Sequence, residues 1–223
     1  MSYLSVFNSA WGILLIVIFA LIIGSFINVV IYRFPKMLFN AWHEQCETFL
    51  KESAAKTDNI NLCWPASHCP HCKTPLKPWH NIPVISYLLQ RGKCRFCHTS
   101  IALRYPVVEL ISAGLAVVLF YFYGWSWQFA LLLLFSWTLL AAIFIDIDTQ
   151  LLPDEITLPL LWIGLLANTQ HVFTDLTSAI YGAVAGYLIL WLVAKGFYLL
   201  TKREGMGHGD FKLLAALGAW AGW

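Results

Sequence analysis

A chain of 223 residues with 59% hydrophobic and only 12% charged side chains is far from a soluble domain, in which about a quarter of residues are charged. It reads as a membrane protein. Its net charge of +2 hides an asymmetry, because most of its 14 lysines and arginines fall between Arg33 and Arg104; a basic cytoplasmic loop accounts for that, and no dedicated positive domain for nucleic acid is present.

Residues 1–10 are an uncharged lead-in. No Lys or Arg precedes Trp11, so the apolar start lacks the basic region of a cleaved signal peptide. Residues 11–32 are expected to form the first membrane helix, closed by Arg33 and Pro35. Gly24 and Ser25 offer a small-residue face for close packing. Asn28, one turn later, either hydrogen-bonds across helices or serves a site. In residues 41–55, Trp42, Cys46, Phe49 and Leu50 recur at helical spacing, the pattern of an amphipathic helix against the loop or the membrane surface. Residues 57–61 then read as a turn.

Cys69-Pro-His-Cys72 and Cys94-Arg-Phe-Cys97 supply two ligands from each of two tight turns. Four thiolates so arranged suit a closed, structural zinc site with no position left for water; four unpaired buried thiols are the alternative. A loop facing a reducing cytosol argues against disulfides, and no redox motif accompanies the ligands to support an iron–sulfur cluster. His71 and His98, each beside a ligand, read as surface residues. Cys46 and Cys63 lie outside the spacing and are expected to pack in the interior.

Residues 107–124 form the second predicted membrane helix, with Glu109 near its start. The third occupies residues 128–147, since about 20 residues at 1.5 Å rise cover roughly 30 Å. It runs into Asp146-Ile-Asp148 and then Leu152-Pro-Asp154-Glu155, four acids without a Lys or Arg among them. They either end the helix in water or do chemistry at a membrane face, where a carboxylate is costly. Residues 156–168 contain Pro159 and cross only if extended by residues 153–155 or helped by thinning and tilt. Residues 176–200 make a comfortable fifth span with Gly182 and Gly186 on one face. A sixth apolar run starts at Phe211 and reaches Trp223 short of a full crossing. If all five complete runs span, the basic loop at residues 33–104 and the Lys202-Arg203 loop share one side. The positive-inside rule then places the amino terminus outside and the acidic loop in the cytoplasm.

Gly205-Met-Gly207-His208-Gly209-Asp210 precedes the sixth run. On this count Asp210 enters the membrane at the face from which Asp146 leaves it. The Gly-rich stretch lacks the Gly-Lys-Ser/Thr ending of a phosphate loop. Two carboxylates within hydrogen-bonding reach share a proton, so one draws a proton from water while the other polarises a carbonyl. Peptide hydrolysis by such a dyad needs no metal, serine or cysteine. Paired membrane acids also conduct ions. The alternative is therefore a carboxylate-lined ion or metal transporter with a zinc-bound regulatory loop, although the polar groups gather at one face rather than at the midplane.

The acid motif and Gly207-His-Gly209-Asp210-Phe-Lys212 together resemble the bacterial type IV prepilin peptidases, the bifunctional leader peptidase and N-methyltransferase family of intramembrane aspartyl proteases. The stretch from Gly24 to Pro35, the two cysteine pairs and Arg104-Tyr-Pro-Val-Val-Glu109 extend the likeness over nearly the whole chain. The resemblance implies an all-α polytopic transmembrane bundle with a small cytoplasmic four-cysteine zinc domain. Residues 1–32 would be the first helix, 33–106 a cytoplasmic loop holding the zinc module at 69–97, and 107–223 the peptidase core. It also implies that the family's scaffold continues beyond this chain, whose C-terminal part is expected to be missing.

The activity implied is removal of the short basic leader of prepilins and pseudopilins at the cytoplasmic side of a bacterial inner membrane. Methylation of the new amino terminus by S-adenosylmethionine follows. By motif position the catalytic pair falls on Asp146 and Asp210. Asp148 is the rival for the first role, on a different side of a continuing helix. Gly207, Gly209 and Lys212 support the pair; Lys212 either holds a phosphate or carboxylate or is an ordinary interfacial lysine. No glycine fingerprint marks the S-adenosylmethionine site. Asn28, Arg33, Arg104 and Glu109 are candidates because they gather at the cytoplasmic ends of the first two predicted helices; for Glu109 the alternative is pairing with one of the arginines. Zinc would stabilise the loop rather than activate water. Expected partners are prepilins, pseudopilins, membrane lipid, and pilus or type II secretion assembly components.

Overall fold

A computed structural model describes residues 10–50, 60–203 and 205–223. Among the described residues the regular structure is helical, with two isolated bridges, His68 to Pro75 and Lys93 to Ser100, and no strand. The helices are α1 (Ala10–Leu50), α2 (Ile85–Leu89), α3 (Arg104–Tyr123), α4 (Trp127–Thr149), α5 (Asp154–Asn168), α6 (Leu176–Thr201) and α7 (His208–Ala221), with a 3-10 turn at Pro78–Asn81. Four of them, α1, α3, α4 and α6, are long and apolar enough to cross a bilayer. The protein is a polytopic, all-α membrane protein.

Two boundaries differ from the sequence expectation. The first membrane helix does not close at Arg33 and Pro35 but continues through Pro35 to Leu50, for 41 residues. Proline removes one intrahelical hydrogen bond, which bends a helix without obliging it to stop. At 1.5 Å per residue α1 is about 60 Å long, roughly twice the hydrocarbon thickness, so its second half extends beyond the membrane. The amphipathic pattern expected at residues 41–55 continues this same helix; residues 51–55 and most of the expected turn at 57–61 lie outside the described residues. The second difference is α5, which begins at Asp154 and has 15 residues, about 22 Å and short of a straight crossing.

The chain divides into two compact units, Met1–Ala141 and Ala142–Trp223. In the first, α1 lies close against α3. A Cβ on Gly24 would sit 2.8 Å from the Glu109 Cα, so glycine there is a condition of the approach. Ser112 donates a hydrogen bond to the Ala20 carbonyl at 2.7 Å, fixing the two helices in register. Ile16, Ala20, Ala113, Ala116, Phe120, Phe129 and Leu133 form the core that α1, α3 and the start of α4 share.

The second unit is built around α7. A Cβ on Gly182 would fall 2.6 Å from the Gly218 carbonyl oxygen, and one on Gly186 would fall 2.7 Å from that of Leu214. Helices α6 and α7 therefore run antiparallel with their backbones in contact. On the other flank Trp220 Nε1 donates to the Leu160 carbonyl at 2.8 Å, and Asn168 Nδ2 donates to that of Ala219 at 2.8 Å. Asn168 is fully buried, and its Oδ1 accepts from the amides of Phe173 and Thr174, both at 3.1 Å. One side chain thus ties the end of α5 to the end of α7 and orders the turn into α6. Buried polar groups need such partners.

Candidate functional site

In the second unit, α4 ends one turn beyond Asp146. The Gln150 amide donates to the Asp146 carbonyl at 2.7 Å, and Gln150 takes a φ of 54° that turns the chain out of the helix. Asp146 and Asp148 are both exposed and, two residues apart, project from α4 about 200° apart. The chain then crosses Leu151–Pro153 and enters α5, whose first turn holds Asp154 and Glu155, where the helix dipole favours negative charge.

Helix α7 starts from Gly207, and half-buried Asp210 lies in its first turn. A Cβ on Gly209 would fall 2.6 Å from Leu152 Cβ and 2.8 Å from the Leu152 carbonyl oxygen. Only glycine lets α7 begin against the turn that follows α4. Lys212 Nζ donates to both carboxylate oxygens of Asp154 at 2.6 Å. These two contacts put the end of α4, the start of α5 and the start of α7 at one end of the unit. A Cβ on Gly207 would be 3.6 Å from Asp210 Oδ2, so the glycine leaves that side of the carboxylate open. Asp154, to which the sequence assigned no role of its own, is the carboxylate that Lys212 holds. The signal was its position between Pro153 and an apolar helix.

In the first unit, Cys69, Cys72, Cys94 and Cys97 each present one sulfur, and all four sulfurs lie within 4.8 Å of one another. Cys69 Sγ and Cys97 Sγ are 3.8 Å apart. A tetrahedron of metal–sulfur bonds of about 2.3 Å has an edge of about 3.8 Å, so the residues fit a metal ion. The two turns match: the amides of Lys73 and His98 donate to the carbonyls of Cys69 and Cys94 at 2.9 Å each, and Lys73 and His98 take φ values of 55° and 56°. His71 and His98 are exposed. Cys46 and Cys63 are exposed too, which corrects the packing role expected of them; neither belongs to the four-cysteine cluster.

Two threonines tune the cluster. The Thr99 hydroxyl, 3.3 Å from Cys97 Sγ, and then the Thr99 amide hold that thiol down at about 6. Thr74 lowers Cys72 in the same way, hydroxyl first and then amide. At Cys69 the Cys72 amide favours the thiolate, yet burial and the neighbouring thiols leave the group pushed up to about 11. The cluster thus holds two thiols whose surroundings favour the thiolate and a third whose proton a metal would displace.

A cavity of about 370 Å³ lies between α1, the cysteine loop and the start of α3, and Asn28, Arg33, His80, Tyr105 and Glu109 are among its walls. Arg104 is not among them. Glu109 and Asn28 are only 7% and 6% exposed. The Val84 amide donates to Glu109 Oε2 at 2.7 Å, and Ser25 is the other hydrogen-bond partner of that carboxylate. Glu109 therefore pairs with neither arginine. Arg33 spends its guanidinium on the carbonyls of Asn61 at 3.0 Å and Pro65 at 2.6 Å. Asn28 Nδ2 donates to the Tyr105 carbonyl at 3.0 Å and to that of Gly24 at 3.3 Å, which fixes the amide's orientation. Its Oδ1 is left buried with no partner, as is His80 Nδ1. Val84 carries the strained φ of 58° that turns its amide toward Glu109. Nothing in local pattern marked Val84 or His80, which only the folded loop brings here, and Ser25 stood out only as a small packing residue.

Comparisons with known proteins cover almost all of the chain. Residues 18–123 match the family described as bacterial peptidase A24 N-terminal domain, and residues 132–223 match the type IV leader peptidase family. The chain is 46% identical over 220 residues to a protein of Legionella pneumophila, covering 98% of this chain and 77% of that one. It is 49% identical over 211 residues to one of Aeromonas hydrophila, covering 94% and 73%. With one of Neisseria gonorrhoeae it shares 47% identity over 227 residues, covering 100% and 78%. Each of the three is called a prepilin leader peptidase/N-methyltransferase. No solved structure matches.

Proposed function

This chain belongs to the type IV leader peptidase family, and we propose that it cleaves the leader of prepilins and pseudopilins and then methylates the amino terminus so exposed. Cleavage rests on Asp146 and Asp210 in the second unit. The observation that carries it is the seating of Gly209 on Leu152 with Lys212 on Asp154, which brings the start of α7 to the turn after α4. A water between the two carboxylates gives its proton to the ionised one and attacks the scissile carbonyl. The protonated partner donates to the carbonyl oxygen and afterwards to the leaving amine. Gly209 lets α7 seat on Leu152, and Gly207 leaves space for a peptide backbone beside Asp210. Asp148, on another side of α4, serves a supporting role.

The four cysteines would hold zinc, whose chemistry here is structural because all four positions are taken by sulfur. The cavity beside them suits the methyl donor: S-adenosylmethionine is a sulfonium cation, and Glu109 is a buried carboxylate without a cationic partner. Arg33 anchors the wall at residues 61–65, and Arg104 opens α3 outside the lining. The basic loop at residues 33–104 supports a cytoplasmic face for this work and a periplasmic amino terminus, by the positive-inside rule.

The test is mass spectrometry of a prepilin after reaction with Asp146→Asn, Asp210→Asn and Asp148→Asn. Cleavage is expected to fall roughly 100-fold or more in the first two and to survive in the third. Full cleavage by either of the first two would remove that residue from the dyad.

A further inference from the structure

The chemistry of the cavity in the first unit goes further than a place for the methyl donor. Its buried polar groups are short of donors. Glu109 meets only two neutral partners, the Val84 amide and Ser25, while a carboxylate has about four lone-pair sites. Asn28 Oδ1 has no partner, and its amide cannot flip to cure this, because Nδ2 is already needed by two carbonyls. A buried acceptor without a donor in the chain takes one from outside it, a water or a ligand N–H. The ligand that answers both acceptors is an ammonium group.

The cavity also has a continuation. An apolar groove lined by Ile18, Leu21, Ile22, Phe26, Pro83 and Ile85 shares Ser25, Val29, Asn81 and Ile82 with it. Ile18 to Phe26 belong to the membrane-crossing part of α1. An amine on the end of an apolar peptide fits that continuity better than a small soluble amine does.

We propose that Glu109, together with Asn28 Oδ1, receives the α-amine that leader cleavage exposes, and that Glu109 takes one proton from it before methyl transfer. This rests on the methyltransferase reading above. An ammonium has no lone pair to offer. Loss of one proton to the Glu109 carboxylate leaves a neutral amine and a carboxylic acid. The amine lone pair then forms the new N–C bond as the methyl carbon's bond to the sulfonium sulfur breaks. The sulfur keeps that electron pair as a neutral thioether, and the methylated nitrogen carries the positive charge. Glu109 returns its proton to solvent.

The experiment uses the full chain in lipid with a prepilin, reading leader cleavage, amino-terminal methylation and calorimetric binding of S-adenosylhomocysteine separately. Glu109→Gln, which can still accept from Val84, is expected to cleave normally; S-adenosylhomocysteine, which lacks the sulfonium charge, is expected to bind within a few-fold, and methylation is read at saturating S-adenosylmethionine because Glu109 also faces the sulfonium. Methylation by this variant at pH 7 falls about 100-fold and recovers above pH 8, where a free α-amine of ordinary pKa near 7.7–8.0 loses its proton to solvent. Glu109→Asp keeps a carboxylate and retains part of the neutral-pH activity. Methylation by Glu109→Gln at the wild-type rate would overturn the proposal, as would a loss that high pH does not relieve. Loss of cleavage or of S-adenosylhomocysteine binding in both variants would mark Glu109 as structural and overturn it equally. Cleavage without methylation by the wild-type chain would instead sink the methyltransferase reading itself.

Discussion

Lys212 and Asp154 make the shortest ion pair described here, yet the side chains are 27% and 50% exposed, and pairs so open to solvent contribute about 1 kcal/mol or less. The pair's use is positional, since it holds the first turn of α7, with Asp210, against the turn after α4. Lys212→Ala is therefore expected to lower prepilin cleavage several-fold while changing unfolding in detergent by no more than about 1 kcal/mol. Cys97 supplies a second residue-level prediction. Its folded pKa of about 6 lies below the ordinary 9.0, so the folded state favours the thiolate. That contribution to stability is present in full above about 9 and is lost as pH falls through about 6. Metal retention against a chelator is expected to drop steeply below pH 6, and Thr99→Val, which removes the hydroxyl, is expected to move that drop upward.

At the scale of elements, the second unit depends on backbone contact between α6 and α7. With lipid outside, helices gain little from apolar burial, and close packing of small residues takes its place. A Cβ on Gly182 would meet backbone atoms of Gly218 and Gly222 at 2.6 Å, and backbone cannot swing aside as a side chain can. Gly182→Val is expected to destabilise the unit by at least about 1–3 kcal/mol and to lower cleavage through loss of Asp210's seating. Thermal unfolding followed alongside activity checks it, because an effect on activity with unchanged unfolding would contradict that account. Asn168 plays the matching part at the far end, where one amide serves two carbonyl and amide systems.

Across the whole molecule the two proposed sites fall in different units: the cysteine cluster and the Glu109 cavity in Met1–Ala141, the carboxylates in Ala142–Trp223. The cavity takes part of its wall from Cys69 and Cys94, so a metal held by the four cysteines would keep that wall in order. Stripping the metal with a chelator at pH 7 is expected to reduce methylation far more than cleavage, with methylation recovering when zinc is returned. Equal loss of both would show that the loop supports the peptidase as well. The full chain in lipid is the object to assay, since α4 belongs to both units.

Composition, run lengths and motif spacing were enough to establish a helical membrane protein, its carboxylate motifs and the four cysteines that the fold gathers into one cluster. These are local properties: a bilayer sets the length of an apolar run, and one tight turn sets the spacing within each cysteine pair. Helix α1 was misjudged at Pro35, because whether a proline stops or bends a helix depends on what surrounds it. Glu109, Asn28 and Arg33 stood out in the sequence only as polar residues near helix ends, without a division of labour. Which carbonyls Arg33 holds, which amide meets Glu109 and which acceptor goes unpaired were decided by the fold. A partner some 25 to 77 positions away along the chain leaves no trace in local pattern, and only packing brings it within hydrogen-bonding distance.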